Sequence, residues 1–217
     1  MIVHQFDKEN TLLNKFLSEL RDVQVQKDAM RFRRNIERIG EILCYELSKT
    51  LNYTSKNIHT PFGSKAMSLP SNNLVLCSVL RAGLPLHQGL LNYFDAAENA
   101  FISAYRHHPD EGDEFEVIVK YFAAPVLGGK TLILTDPMLA TGKTLENVYK
   151  ALQTHGEPKQ IHIISVIGSM PGVEYIRRIF PKNTHLWIAA VDDELTSKGY
   201  IIPGLGDAGD LAFGVKL

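Results

Sequence analysis

Two cysteines, Cys44 and Cys77, and a single tryptophan are all of those types that the 217 residues contain. Two isolated thiols cannot make a disulfide framework. Cys44 falls in a helical pattern and Cys77 in a strand pattern, so both read as buried free thiols in a reducing cytoplasm, with a redox pair as the alternative. Long apolar runs are missing too: no stretch reaches the roughly 18 residues that a spanning helix needs. The opening MIVHQFDKEN lacks the basic-then-apolar pattern of an export signal. Charge of one sign is also scarce. The formal net charge is −1, which gives no reason to expect nucleic acid or an anionic membrane as a partner. With 45% apolar residues, the chain can bury the core of one domain. No internal repeat or low-complexity linker divides it.

Strand and helix patterns alternate along the sequence. Apolar runs at Leu74 to Leu80, Ala100 to Ala104, Lys130 to Thr135, Ile161 to Ile167 and Leu186 to Val191 predict core strands. Helices are expected near Leu84 to Tyr93, Thr144 to Thr154 and Val173 to Phe180, and a long one from about Asp28 to Leu51 marked by Ile36, Ile39, Leu43 and Leu47. Such alternation implies an α/β fold with a parallel sheet. Phe115 to Phe122 alternates with Phe115, Val117, Val119 and Tyr121 on one side, the pattern of an exposed antiparallel strand carrying a flap.

The stretch Thr135-Asp136-Pro137-Met138-Leu139-Ala140-Thr141-Gly142-Lys143-Thr144 carries the most chemistry. It puts an acidic residue at a strand's C-terminal end, then a small-residue loop that opens a helix. Backbone N–H groups and the positive end of a helix suit a phosphate there, and the Asp suits sugar hydroxyls or a metal's water shell. A P-loop is the competing reading, because Gly142-Lys143-Thr144 matches its ending. That motif also needs a glycine five residues earlier, where this chain has Pro137, which has no N–H. An ordinary strand-to-helix turn is the bland alternative.

A second segment, GYIIPGLGDAGD from Gly199 to Asp210, has four glycines and a proline in twelve residues. That composition predicts neither a helix nor a strand interior. Apolar runs on both sides suggest a loop held by packing rather than a solvated tail. Its glycines would let a backbone approach a flat ring and read its edge with N–H and C=O groups.

Together these two segments resemble the uracil phosphoribosyltransferase family. Leu80-Arg81-Ala82-Gly83-Leu84, Tyr105-Arg106, and the N-terminal stretches Leu20-Arg21-Asp22, Arg31-Phe32-Arg33 and Gly40 to Glu46 agree with its pattern in order along nearly the whole chain. The resemblance implies a type I phosphoribosyltransferase fold: a parallel sheet with helices on both faces, an N-terminal helical arm (about 1–52), a β flap and a C-terminal hood (about 192–217), in one domain over 1–217. It implies transfer of the phosphoribosyl group from phosphoribosyl diphosphate to uracil, giving UMP and diphosphate, with Mg2+ held mainly through the diphosphate and water. The phosphoribosyl diphosphate site it implies comprises Arg81, Arg106, Asp136, Pro137, Met138, Leu139, Ala140, Thr141, Gly142, Lys143, Thr144 and Asp207. Ile201, Gly206, Asp207 and Ala208 would hold uracil. Asp136, Arg106 and Asp207 would be the catalytic groups. A homodimer or larger assembly, and GTP as an effector, come with the same resemblance.

The chain also departs from the family pattern. Lys143-Thr144 stand where the family has Gly-Ser, so Lys143 either adds charge to the phosphate cradle or points to solvent. Pro85-Leu86-His87 follows the LRAGL loop, and His107 to Glu114 recasts the acidic flap. His107-His108 reads as a solvated loop in preference to a metal site, and Asp210 as a cap for the hood's backbone. The rival functions are a UMP- or RNA-binding regulator, a non-catalytic assembly subunit, or a phosphoribosyltransferase for another base.

Overall fold

The computed structural model describes residues 1–71, 73–107 and 116–215, without the side chains of 104–107 and 116–120. In chain order the elements are β1 (Ile2–Gln5), α1 (Leu12–Arg21), α2 (Ala29–Ser48), β2 (Tyr53–Thr60), β3 (Gly63–Pro70), β4 (Leu74–Leu80), α3 (Gly83–Leu91), β5 (Glu98–His107) and β6 (Glu116–Ala123). They continue with β7 (Thr131–Thr135), β8 (Met138–Leu139), α4 (Lys143–Leu152), β9 (Gln160–Ser169), α5 (Met170–Ile179), β10 (His185–Asp192), β11 (Glu194–Leu195), β12 (Ile201–Ile202) and α6 (Ala208–Phe213). A 3-10 turn over Gln153–His155 ends α4.

The central sheet runs β1-β10-β9-β7-β4-β5-β6, with β8 added against β9. Every pairing is parallel except β5 with β6. Chain order and spatial order part company at β4, because β5 lies on one side of it and β7 on the other. The crevice beyond the C-terminal ends of β4 and β7 is therefore the topological switch point, where ligands bind in open α/β sheets.

Helices cover both faces. On one, Leu20, Phe32, Ile36, Ile39, Leu43, Leu86 and Leu90 of α1, α2 and α3 pack with Leu76, Ile133, Ile164 and Trp187. On the other, Leu145, Val148, Val173 and Ile176 of α4 and α5 pack with Val75, Leu132, Leu134 and Ile163. Strands buried on both faces explain the unbroken apolar runs read from the sequence. Local sequence fixes the helix starts: Thr11, Asp28 and Ser169 each accept a backbone N–H from the first turn of α1, α2 and α5. Both thiols are buried, as expected, and burial pushes each up to about 12, with Glu41 adding to the shift of Cys44.

Several expectations need correction. The N-terminal arm is not wholly helical, because β1 joins the sheet edge beside β10. There His4 stacks on Trp187 at 3.8 Å and meets His185 at 3.1 Å. Residues 53–70 form an antiparallel hairpin, β2 with β3, that the sequence did not suggest. The glycine-rich C-terminal segment contains β12 and the start of α6, so it is not only loop. The strand β6 does pair antiparallel with β5, but a register shift between Ser103 and Ala104 leaves Lys120 as an extra residue and breaks the simple alternation. Phe115 and the flap residues 108–114 lie outside the described residues.

Candidate active site

The strand β7 delivers Asp136 to the switch point. The Asp136 N–H bonds Ile164 O at 3.1 Å, and its carboxylate accepts the Met138 N–H at 3.2 Å. This Asx turn interrupts β7 without shifting its parallel alignment on β9. Met138 and Leu139 then pair briefly with Ile167 and Gly168 as β8, where a plain loop had been expected. Pro137 O accepts the N–H groups of both Val166 and Ile167 at 3.0 Å. Behind the turn, Ser169 Oγ donates to Ala140 O at 2.7 Å. The phosphate-type loop is thus backed by the end of β9.

Gly142 caps α4 with φ +79 and supplies no side-chain cap to the helix. A Cβ there would sit 2.8 Å from Ile176 Cγ2 and 2.9 Å from Tyr175 Cδ1. Only glycine combines that backbone with that proximity to α5. The turn leaves a small hollow lined by Asp136, Met138, Leu139, Ala140, Thr141, Gly142, Thr144 and Leu145. First-turn amides of a helix lacking a side-chain cap suit an anion. Lys143 is the first residue of α4, one earlier than expected, and is exposed. Tyr175 donates to Glu146 at 2.5 Å, which ties the start of α4 to α5.

Arg81 follows β4 across a cis peptide from Leu80. Its Nη2 pairs with Asp210 Oδ1 at 2.9 Å, and its Nη1 donates to Gly214 O at 3.2 Å. Arg106 lies one residue before the end of β5, inside the strand rather than after it, opposite Val117. The ends of β7, β4 and β5 are neighbours, so Asp136, Arg81 and Arg106 occur at one rim of the sheet.

The hood comes to the same rim. Asp207 Oδ1 accepts the N–H groups of Gly209 at 2.9 Å and Asp210 at 3.0 Å, so Asp207 caps α6. That corrects the expectation for Asp210, which pairs with Arg81 instead of capping. Ile201, Leu205 and Ala208 are buried in one apolar cluster with Ala140 of the phosphate-type loop. Gly206, with φ +91, stands just before the cap. The hollow at residues 136–145 is not lined by hood residues. What joins the two segments is the shared cluster, while the Arg81–Asp210 pair ties the hood to the loop after the neighbouring strand β4. Sequence reading missed Asp210 as a partner of Arg81, and nothing local could reveal a pair 129 residues apart.

A mostly parallel sheet with an acidic strand end, a turn that opens a helix without a side-chain cap beside it at the switch point, and a hood at the same rim is the type I phosphoribosyltransferase architecture. The sequence profile described as uracil phosphoribosyltransferase matches residues 8–215. A uracil phosphoribosyltransferase of Porphyromonas gingivalis is 52% identical over the full length of both chains. One of Thermococcus gammatolerans is 37% identical, covering 99% of this chain and 94% of its own. The solved structure of the AQ2163 protein from Aquifex aeolicus superimposes with a TM-score of 0.88 at 29% identity, covering all of both chains. This chain belongs to the uracil phosphoribosyltransferase family.

Proposed function

We propose that this protein transfers the phosphoribosyl group of 5-phosphoribosyl 1-diphosphate to uracil, forming UMP and diphosphate, as one domain over residues 1–217. The observation that carries this reading is the Arg81–Asp210 pair, which links the loop after β4 to the hood beside the phosphate-type turn.

In this reading the amides and hydroxyls from Met138 to Thr144, with Pro137 shaping the turn, cradle the 5′-phosphate. Asp136 accepts the ribose hydroxyls. Arg81 and Arg106 hold the diphosphate, a task suited to the two-pronged guanidinium. The ribose becomes oxocarbenium-like as the anomeric bond to diphosphate breaks, and the leaving oxygens gain charge. Unit charges about 4 Å apart attract by about 4 kcal/mol at an effective dielectric of 20, so contacts that tighten as charge develops accelerate the step by orders of magnitude. The main chain of Ile201, Gly206, Asp207 and Ala208 takes the edge of uracil, and Asp207 faces the phosphoribosyl group.

Among the described residues no group of three or more His, Cys, Asp and Glu side chains is gathered as a metal site. Carboxylates that stand singly rather than in such a group, as Asp136 and Asp207 do while accepting backbone amides, fit a Mg2+ ion that arrives on the diphosphate and keeps most of its water. Bound there, Mg2+ would neutralise charge on the leaving group.

A homodimer or larger assembly belongs to the same reading. The β2–β3 hairpin is exposed along most of its length, with Phe62 bare at its tip. A two-stranded hairpin is marginal alone, and a second copy would cover it; the mass in solution tests this. GTP activation is carried by the family resemblance. Buried free thiols fit a cytoplasmic location, and no described helix is long and apolar enough to cross a membrane.

The test is UMP formation from uracil and phosphoribosyl diphosphate with and without Mg2+, repeated with GTP and with cytosine. Cytosine presents an acceptor and an amino group where uracil presents an N–H and a carbonyl. A main-chain lid mispairs with it, and discrimination of roughly 10⁴ is expected. Comparable turnover of cytosine would defeat the base-site assignment.

A further inference from the structure

The base-reading end of the site is built from main chain and glycine, which is intrinsically loose. Something must hold it still. The structure offers a candidate on elements far away in sequence. Arg21, at the end of α1, forks onto Asp192, the last residue of β10: Nη2 to Oδ1 at 2.7 Å and Nη1 to Oδ2 at 2.8 Å. The same Nη1 donates to Gly204 O at 3.0 Å, and Gly204 N–H donates to Asp192 Oδ2 at 3.0 Å. Both backbone polar groups of one buried glycine are therefore bound by one ion pair, whose carboxylate is only 9% exposed. Gly204 has φ +60, and a Cβ on it would fall 2.2 Å from Ile201 O. Next to it, Gln26 Nε2 donates to Leu205 O at 3.2 Å and to Leu20 O at 2.7 Å. Beyond the base-reading residues, Arg33 Nη1 donates to Ala212 O at 2.6 Å. The α1–α2 arm thus grips the hood on both sides of Gly206-Asp207-Ala208.

We propose that Arg21 and Asp192 are positioning residues for base recognition: their ion pair fixes the backbone of Gly204 and thereby pre-aligns the main-chain edge of residues 206–208. The inference rests on the reading that this edge takes uracil. Charge-assisted, bidentate bonds are the strong class of hydrogen bond and fix geometry as well as energy. Binding groups set in place before the ligand arrives lose less ordering entropy on binding. The bonds that hold the phosphate-type turn, Ser169 Oγ to Ala140 O and the amides of Val166 and Ile167 to Pro137 O, involve neither member of this pair. Loosening the pair should therefore weaken uracil binding selectively.

The test uses full-length Arg21→Lys, Arg21→Met and Asp192→Asn. Steady-state kinetics should show the uracil KM raised tenfold or more in Arg21→Met and Asp192→Asn, with the phosphoribosyl diphosphate KM within twofold of wild type. Lys keeps the charge but loses the fork, so Arg21→Lys should fall between. The preference for uracil over cytosine should narrow in the same order. Amide exchange of residues 204–208 should quicken about tenfold in the folded variants. Equal changes in both KM values, or none in either, would overturn the proposal. So would failure of all three variants to fold, which would make the pair a determinant of the fold alone. The underlying reading is checked separately by amide exchange of the wild type with UMP. Absence of protection at 206–208 rejects the base-site reading. Protection there with an unmoved uracil KM in the variants rejects only the role of Arg21 and Asp192.

Discussion

Replacing Gly142 by alanine probes the phosphate-type turn most sharply. Its φ of +79 is a conformation that an L-residue with a Cβ adopts at a cost of about 1–2 kcal/mol. The new methyl would also lie 2.8 Å from Ile176 Cγ2 and 2.9 Å from Tyr175 Cδ1, inside van der Waals contact. Ile176 is fully buried and cannot swing away, and overpacking of this kind costs about 1–3 kcal/mol. The sum is about 2–5 kcal/mol, a large part of the ~5–15 kcal/mol that holds a typical domain together. The cheapest relaxation moves the start of α4 away from α5, which displaces the amides assigned to the 5′-phosphate. Denaturant unfolding should show the lost stability. Kinetics of the folded fraction at low temperature should show the phosphoribosyl diphosphate KM raised at least tenfold. A variant as stable as wild type with an unchanged KM would refute both the strain argument and the anion role of the turn.

Asp136→Asn should cut turnover by two or more powers of ten while leaving the melting temperature within a few degrees; unchanged activity would remove Asp136 from the mechanism. Burial, with His185 and His4 beside it, pushes His162 down to about 3. Above about pH 6.5 neither folded nor unfolded His162 carries a proton, so there is no penalty. Below that pH the unfolded chain takes up a proton that the native state refuses. His162 alone then costs about 1.4 kcal/mol per pH unit, or about 2 kcal/mol by pH 5. His4, His185 and His87 shift in the same direction. Denaturant melts at pH 7.5 and 5.0 measure the drop, which His162→Gln should shrink; equal stability at both pH values would contradict the assignment. Cys44 and Cys77 should resist a maleimide at pH 8 in the native protein and react once it is unfolded, as read by mass spectrometry. Rapid native labelling would contradict their burial.

Much of the sheet was legible because its strands are buried on both faces and so leave unbroken apolar runs, Leu74–Leu80 being the clearest. The strand–turn–helix at residues 131–152 was legible from the switch between a strand run and a 3.6-residue period. The strand β1 was not, because four residues are too few for a pattern and its existence depends on pairing with β10. The β2–β3 hairpin was hidden for another reason: with both faces exposed it has no apolar alternation. The helix α6 had a readable start, an Asp ahead of Ala208 with Leu211 and Ala212 following, but the glycine count obscured it. The motif residues proposed for the site came from residue type and spacing around Asp136 and, for the rest, from the family resemblance. The contacts that assemble the site, Arg81 with Asp210 and Arg21 with Asp192 and Gly204, join residues more than a hundred positions apart and become visible only once the chain is folded.

The claim on which the rest depends is that the turn at residues 138–144 and the hood at 201–208 serve opposite ends of one bound nucleotide. A crystal structure of the protein with UMP measures this directly. The account predicts the 5′-phosphate against the amides of residues 141–144 and the pyrimidine edge against the main chain of 206–208. A nucleotide bound with either end elsewhere would contradict it.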